Sequence, residues 1–208
     1  MKIKTSLMTG FLALAVAAPV SLNAGLLGEN YVGAGISYNE IRLSGAPNPN
    51  GWGAAVGGNM AIHRDAQFGF DVEGSLSYMR LSRSGARARG TVLNVSPTVY
   101  IGDAAAKPFV SFDTGWVWAR ASSGTFSMSD DSWHWGFTSG VEFGVSDTLS
   151  ITPSLSWTRI DSDRESTWSG GVTVHNWFTE QVGGAVSYYL TEGPEKAHGV
   201  MVAVNFRL

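Results

Sequence analysis

Apolar and polar positions alternate with period two along most of the chain, which places successive side chains on opposite faces of extended strands. The last segment is clearest. Val200, Val202, Val204, Phe206 and Leu208 alternate with Met201, Ala203, Asn205 and Arg207. Leu149, Ile151, Pro153, Leu155 and Trp157 alternate with serines and threonines, and Leu93, Val95, Pro97, Val99 and Ile101 with Asn94, Ser96 and Thr98. Val110, Phe112, Trp116 and Trp118 form a third series, Trp133, Trp135, Phe137, Val141 and Phe143 a fourth, and Phe68, Phe70, Val72, Leu76 and Tyr78 a fifth. The pattern predicts strands near 31–43, 51–62, 67–81, 91–102, 108–120, 133–145, 148–159, 169–177, 181–190 and 199–208.

The two faces differ in bulk. One is large, apolar and aromatic; the other is mostly Gly, Ser, Thr and Ala, with scattered acids. Beyond residue 24 the chain has two lysines, Lys107 and Lys196. A sheet whose bulky face meets lipid and whose small polar face looks inward accounts for both facts. Strands in lipid leave no edge unpaired, so the sheet closes into a barrel. The expected fold is all-β: a single antiparallel up-and-down transmembrane barrel of ten strands, with eight the alternative count. Residues 169–190 decide between nine and ten. As one strand they would put Glu180 against hydrocarbon, at a cost of a few kcal/mol. A turn at about Asn176 to Glu180 removes that cost and brings both termini to the same side. Pro97 and Pro153 fall mid-strand, where each forfeits a ladder hydrogen bond.

Composition sharpens this picture. Of 208 residues, 15% are charged, below the roughly 25% of a soluble domain. No apolar run reaches the length of a membrane-crossing helix, about 18 residues. The absence of cysteine excludes disulfides, thiolate metal sites and cysteine nucleophiles. Lys2 and Lys4, the apolar stretch Leu7–Ala18, Pro19 and the small residues to Ala24 read as a secretory signal cleaved after Ala24. The domains expected are thus a signal peptide, 1–24, and a barrel, 25–208. The remaining 184 residues carry 12 basic and 17 acidic side chains, a formal net charge of −5. That balance argues against a nucleic-acid partner.

Tyr31-Val32-Gly33-Ala34-Gly35-Ile36-Ser37-Tyr38, Gly140-Val141-Glu142-Phe143 with Ser146-Asp147-Thr148-Leu149-Ser150, and the alternating final strand resemble the small outer-membrane barrels of the OmpA-like and OmpX-like kind. The resemblance covers the chain beyond its leader. It implies location in the cell outer membrane, a porin-like Gram-negative architecture, a monomer, contact with outer-membrane lipids and lipopolysaccharide, and recognition of the last strand by the barrel-assembly machinery. Family members usually end in an aromatic residue; this chain ends in Leu208, with Phe206 two before it. Short breaks at 63–65, 102–107 and 146–148 are expected on the periplasmic side. Longer breaks at 82–90, 121–132 and 160–167, and the Pro47-Asn48-Pro49-Asn50 segment, are expected outside.

Two sets of residues are candidates for function. Arg80, Arg83, Arg87 and Arg89 crowd one outer loop and could clamp lipopolysaccharide phosphates, since guanidinium forks fit phosphate; a solvated loop balanced by neighbouring acids is the bland reading. Asp71, Glu73, Asp113 and Glu142 point inward with no basic residue at similar depth. They could line a narrow cation-preferring passage, or be satisfied by hydroxyls in a filled interior. Trp52, Tyr78, Trp116, Trp118, Trp133, Trp135, Trp157 and Tyr188 read as interfacial girdle residues. Catalysis needs converging groups: Asp161 with Asp163, and Asp131 with His134, only loosely imitate an acid pair and an Asp–His pair. His63, His134, His175 and His198 are scattered, so no metal or other cofactor is expected. The expected function is a non-enzymatic structural or surface-interaction role, with a small cation channel as the alternative and an outer-membrane hydrolase behind it.

Overall fold

A computed structural model describes residues 26–42, 48–65, 67–83, 85–101, 105–123, 126–161, 166–193 and 196–208. The expected leader, 1–24, lies outside the described residues, as do Pro47, Asp163 and Glu165. Ten strands form: β1 Tyr31–Arg42, β2 Asn50–Arg64, β3 Phe68–Arg83, β4 Ala86–Ile101, β5 Ala106–Ser123, β6 Phe126–Gly144, β7 Leu149–Ile160, β8 Ser166–Trp177, β9 Val182–Glu192 and β10 Lys196–Arg207. Each pairs antiparallel with its sequence neighbour, and β10 pairs with β1 to close the barrel. Following the register round the wall returns to β1 about twelve residues along. With ten strands, that stagger sets a tilt of about 40° and a backbone-to-backbone width of about 20 Å.

The bulky face looks outward throughout. Ile36, Val202, Val186, Val174, Ile151 and Phe143 form one exposed apolar row across six strands. On β3 the apolar band runs from Phe68 to Tyr78, about 25 Å along the barrel axis at this tilt. The break between β8 and β9 falls at 178–181 and leaves Glu180 exposed in a turn, as the energetic argument required.

The structure corrects three expectations. First, 82–90 and 121–132 are not long loops. Strands β3 to β6 run on past the apolar band, and Arg83 pairs with Ala86, Ser123 with Phe126. Period two persists there, with Arg87 and Arg89 outward and Ala88 and Gly90 inward. Above the lipid the outward positions no longer need to be apolar, so hydrophobicity alone misses the strand ends.

Second, the interior is not uniformly small and polar. Near the outer end, Ile41, Met79, Leu81, Val92, Val117, Ile160 and Tyr189 form one buried cluster with four alanines. Its members stand on seven strands round the wall and are buried although they face inward, so the lumen is filled at this level. The side chain of Tyr189 lies over Gly199 on the neighbouring strand and donates a hydrogen bond to Asn39 Oδ1 two strands away. Below this cluster the polar belt begins, with Ser96 donating to Asp113 Oδ1 at 2.6 Å and Thr138 to Oδ2 at 2.5 Å.

Third, a basic residue does share depth with the inward acids: Lys107 Nζ lies 3.5 Å from Glu142 Oε1.

The strand prolines keep the register but break the ladder. β4 and β5 pair as far as Val95–Thr114 and resume at Thr98–Ser111, skipping Ser96-Pro97. β6 and β7 pair as far as Gly140–Ser154 and resume at Phe143–Ile151, skipping Thr152-Pro153.

The inner turns are held by side chains. Asp65 Oδ1 accepts the backbone N–H groups of Gln67 and Phe68, both at 2.8 Å, and Oδ2 meets His63 Nε2 at 3.0 Å. The Phe68 and His63 hydrogen bonds hold its carboxyl down at about 2. A carboxylate lowered in the folded state stabilises fully above its ordinary pKa near 3.8, and loses that contribution as pH falls through 2. The stability difference between the native chain and Asp65→Ala should therefore shrink from pH 4 to pH 2 in urea unfolding at stepped pH. A difference constant across that window would contradict this account of the turn.

Candidate functional site

Cross-strand register carries the outer ends of β3, β4 and β5 into one basic patch. Arg80 lies opposite Arg89, and Arg89 opposite Arg120, so three guanidinium side chains stand in a row on the outward face. Arg87 sits one step further out, between Ser82 and Ser122. Arg83 ends β3, and its side chain lies outside the described part of the structure. Arg120 was not among the sequence candidates, because its sequence neighbours carry no other charge; only the pairing of β5 with β4 adds it. Like charges directly opposite on neighbouring strands repel. Among the described residues, none of Arg80, Arg87, Arg89 and Arg120 has an acidic partner within ion-pair distance.

Directly beneath this row stand Tyr78, Thr91, Trp118 and Asp131, and beneath those Leu76, Leu93, Trp116 and Trp133. The patch therefore rises in three tiers: leucines with tryptophans, then the aromatic tier of Tyr78 and Trp118 with Thr91 and the acid Asp131 between and beside them, then the arginines. Two residues of β-strand at this tilt separate tiers by about 5 Å. Two grooves of about 420 and 370 Å³ follow the boundary between the aromatic and cationic tiers; Tyr78, Arg89 and Arg120 border both. Trp116 and Trp133 meet edge to face, with ring centroids 5.9 Å apart. All eight predicted girdle aromatics stand on the outward face.

The inward acids are buried. Asp71 accepts the backbone N–H of Gly28 at 2.7 Å and the Asn59 amide at 2.9 Å. Glu73 accepts Tyr31 Oη–H at 3.1 Å. Asp113 is held by Ser96 and Thr138, and Glu142 by the Leu27 N–H at 3.1 Å as well as Lys107. Their hydrogen-bond partners are therefore protein groups, two of them backbone groups of the segment that precedes β1.

The structure does not bring the hydrolase candidates together. On β6, Asp131 is exposed and outward while His134 is 1% exposed and inward, as their odd and even positions require. Asp161 follows β7 on the outer rim; Asp163 lies outside the described residues. His175 is inward near the inner mouth, His63 stands at the inner rim and His198 at the outer end of β10. No group of three potential metal ligands occurs among the described residues.

Comparison with known proteins gives the architecture a family. No curated protein matches the chain in sequence. Among solved structures, the β domain of the Bordetella autotransporter BrkA is similar at a TM-score of 0.58 and 11% identity, over 86% of this chain and 99% of that one. The transport unit of the Escherichia coli autotransporter AIDA-I is similar at 0.56 and 10%, over 98% and 97%. The translocator domain of NalP from Neisseria meningitidis is similar at 0.55 and 12%, over 100% and 97%. These likenesses concern the fold. Residues 6–202 match the family described as the outer membrane protein beta-barrel domain. The chain therefore belongs to that family and is a ten-stranded barrel of the cell outer membrane.

Proposed function

We propose that this barrel is a non-enzymatic surface component whose arginine row, Arg80, Arg89 and Arg120 with Arg87 beside it, grips lipopolysaccharide phosphates in the outer leaflet. The observation that carries the reading is the stack of like charges placed opposite one another just above the aromatic tier, without acidic partners among the described residues. A phosphate between two guanidinium forks turns that repulsion into charge-assisted hydrogen bonds. The tiers beneath match the rest of the ligand: Tyr78 and Trp118 at headgroup level, Leu76 and Leu93 against acyl chains.

The channel alternative gains no support. The apolar cluster crosses the outer half of the lumen, and Leu26 and Leu27 are buried at its inner mouth. The hydrolase candidates are not assembled: Asp131 and His134 stand on opposite faces of β6, and Asp163, the partner expected for Asp161, lies outside the described residues.

The test is binding of purified lipopolysaccharide to the native barrel and to the triple variant Arg80→Gln, Arg89→Gln, Arg120→Gln. Each charge-assisted hydrogen bond contributes about 1.5–3 kcal/mol, so affinity should drop at least tenfold. The native affinity should also weaken with added salt. Equal affinity for the triple variant, or undiminished binding of dephosphorylated lipopolysaccharide, would overturn the proposal.

A further inference from the structure

The segment before β1 does not lie along the rim. It enters the inner mouth of the barrel, where Leu26 is 2% exposed and Leu27 7%. Every backbone N–H and C=O of Leu27, Gly28 and Glu29 has a partner. The Leu27 N–H donates to Glu142 Oε2 and its carbonyl accepts Lys107 Nζ at 3.0 Å. The Gly28 N–H donates to Asp71 Oδ2 and its carbonyl accepts Arg64 Nη1 at 3.2 Å. The Glu29 N–H closes a turn onto the Leu26 carbonyl, and its own carbonyl accepts Asn59 Nδ2 at 2.8 Å. The Glu29 carboxylate meets Arg207 Nε at 3.0 Å. Side chains of β2, β3, β5 and β6 thus converge on three peptide units, and one from β10 takes the Glu29 carboxylate.

The wall is shaped for this occupant. β2 carries a one-residue bulge between Ala61 and His63. An extra residue reverses inward and outward parity beyond it. Arg64, which would otherwise face lipid, is thereby turned inward and reaches Gly28. Gly28 has φ +83°, a left-handed conformation that favours glycine, and a Cβ there would sit 2.7 Å from Tyr100 Oη. Leu27 packs on Tyr100 and Phe109. Beside the segment, a cavity of about 160 Å³ is bordered by Leu26, Leu27, Lys107, Glu142 and His175.

We infer that the inner mouth is a peptide-binding seat, and that its occupant is the chain's own Leu26–Asn30, which stoppers the lumen from the periplasmic side. The ligand class is an extended peptide with two apolar residues, a glycine in the left-handed region and a carboxylate for Arg207. The seat uses both charge signs: Asp71 and Glu142 take N–H groups, while Lys107 and Arg64 take carbonyls. Two of the four inward acids, Asp71 and Glu142, therefore serve as acceptors for a backbone. The outer apolar cluster makes a second closure, so removing the stopper exposes only the polar lower lumen.

The chain has no cysteine, so a single introduced thiol reports cleanly. Ser111, 3% exposed and in the same cross-strand row as Asp71 and Thr98, is the reporter. In purified Ser111→Cys barrel, a charged maleimide should label slowly. Deleting Leu26–Glu29 should accelerate labelling at least tenfold, with boiling-dependent gel mobility confirming the fold. The synthetic peptide Leu-Leu-Gly-Glu-Asn at millimolar concentration, comparable to the effective concentration of a short tether, should restore slow labelling. Where the deletion does not fold, Gly28→Ala in the same background should give an intermediate acceleration. Unchanged labelling in the folded deletion, or in Gly28→Ala, overturns the stopper. Acceleration that the peptide fails to reverse overturns the seat. Neither readout depends on lipopolysaccharide.

Discussion

Replacing Val186 by arginine is expected to lower the unfolding free energy of the barrel by about 2–4 kcal/mol, measured by urea unfolding in lipid vesicles. Val186 is 53% exposed and sits between Val174 and Val202 in the middle of the outward apolar row. An arginine there must either bring its guanidinium into hydrocarbon or stretch it toward a distant headgroup. The same substitution at Leu190, two outward positions nearer the outer rim, should cost only about 0–1 kcal/mol, because the penalty falls steeply toward the interface. The contrast between the two positions is the diagnostic quantity. Equal, small effects at both would mean that this row meets water, and the assignment of faces would be wrong for the whole barrel.

The second large effect is expected from Gly115→Ala. Gly115 faces inward on β5, and a Cβ built there would lie 1.9 Å from the Leu93 carbonyl oxygen and 2.8 Å from His134 Nε2. The first contact is with backbone, so relief requires β4 and β5 to shift apart, not a side-chain rotation. Overpacking of this kind costs about 1–3 kcal/mol and sometimes more. Gly74→Ala supplies the comparison. No atom lies within 4 Å of a Cβ at that position, so its effect should stay within about 0.5 kcal/mol. Urea midpoints of the two variants, measured side by side, decide the matter. A Gly115→Ala barrel as stable as the native one would show that the walls do not approach this closely.

The strands themselves were legible in the sequence because lipid imposes a strict rule on every second residue. Val200 to Leu208 obey it without exception, and the position of Glu180, together with the need to bring both termini to one side, split residues 169–190 into two strands. The same parity turns Asp71, Glu73, Asp113 and Glu142 inward, and it parts Asp131 from His134, which on sequence alone make a loose candidate pair. The rule lapses where lipid ends. Arg87 and Arg89 occupy outward strand positions, yet nothing apolar marks them as such. The outer lumen was readable in principle, since Thr91-Val92-Leu93 and Trp116-Val117-Trp118 break the alternation with an apolar residue on the inward side. What no local pattern could reveal is assembly between distant segments. Arg120 joins the arginine row only through register, and Leu26–Asn30 has no periodicity. Its partners are spread from Asn59 to Arg207, and one of them, Arg64, faces inward only because of a bulge.

The two proline interruptions have a mechanical implication. Pro97 weakens the stitching of β4 to β5, and Pro153 that of β7 to β6, so both weak seams flank the same β5–β6 hairpin, the longest in the wall. That hairpin is fastened along its own length and loosely tacked on either flank. A barrel built this way has a designated place to give: under tension, or while the wall is still zipping shut, β5 and β6 would part from their neighbours as one ribbon before any other pair yields.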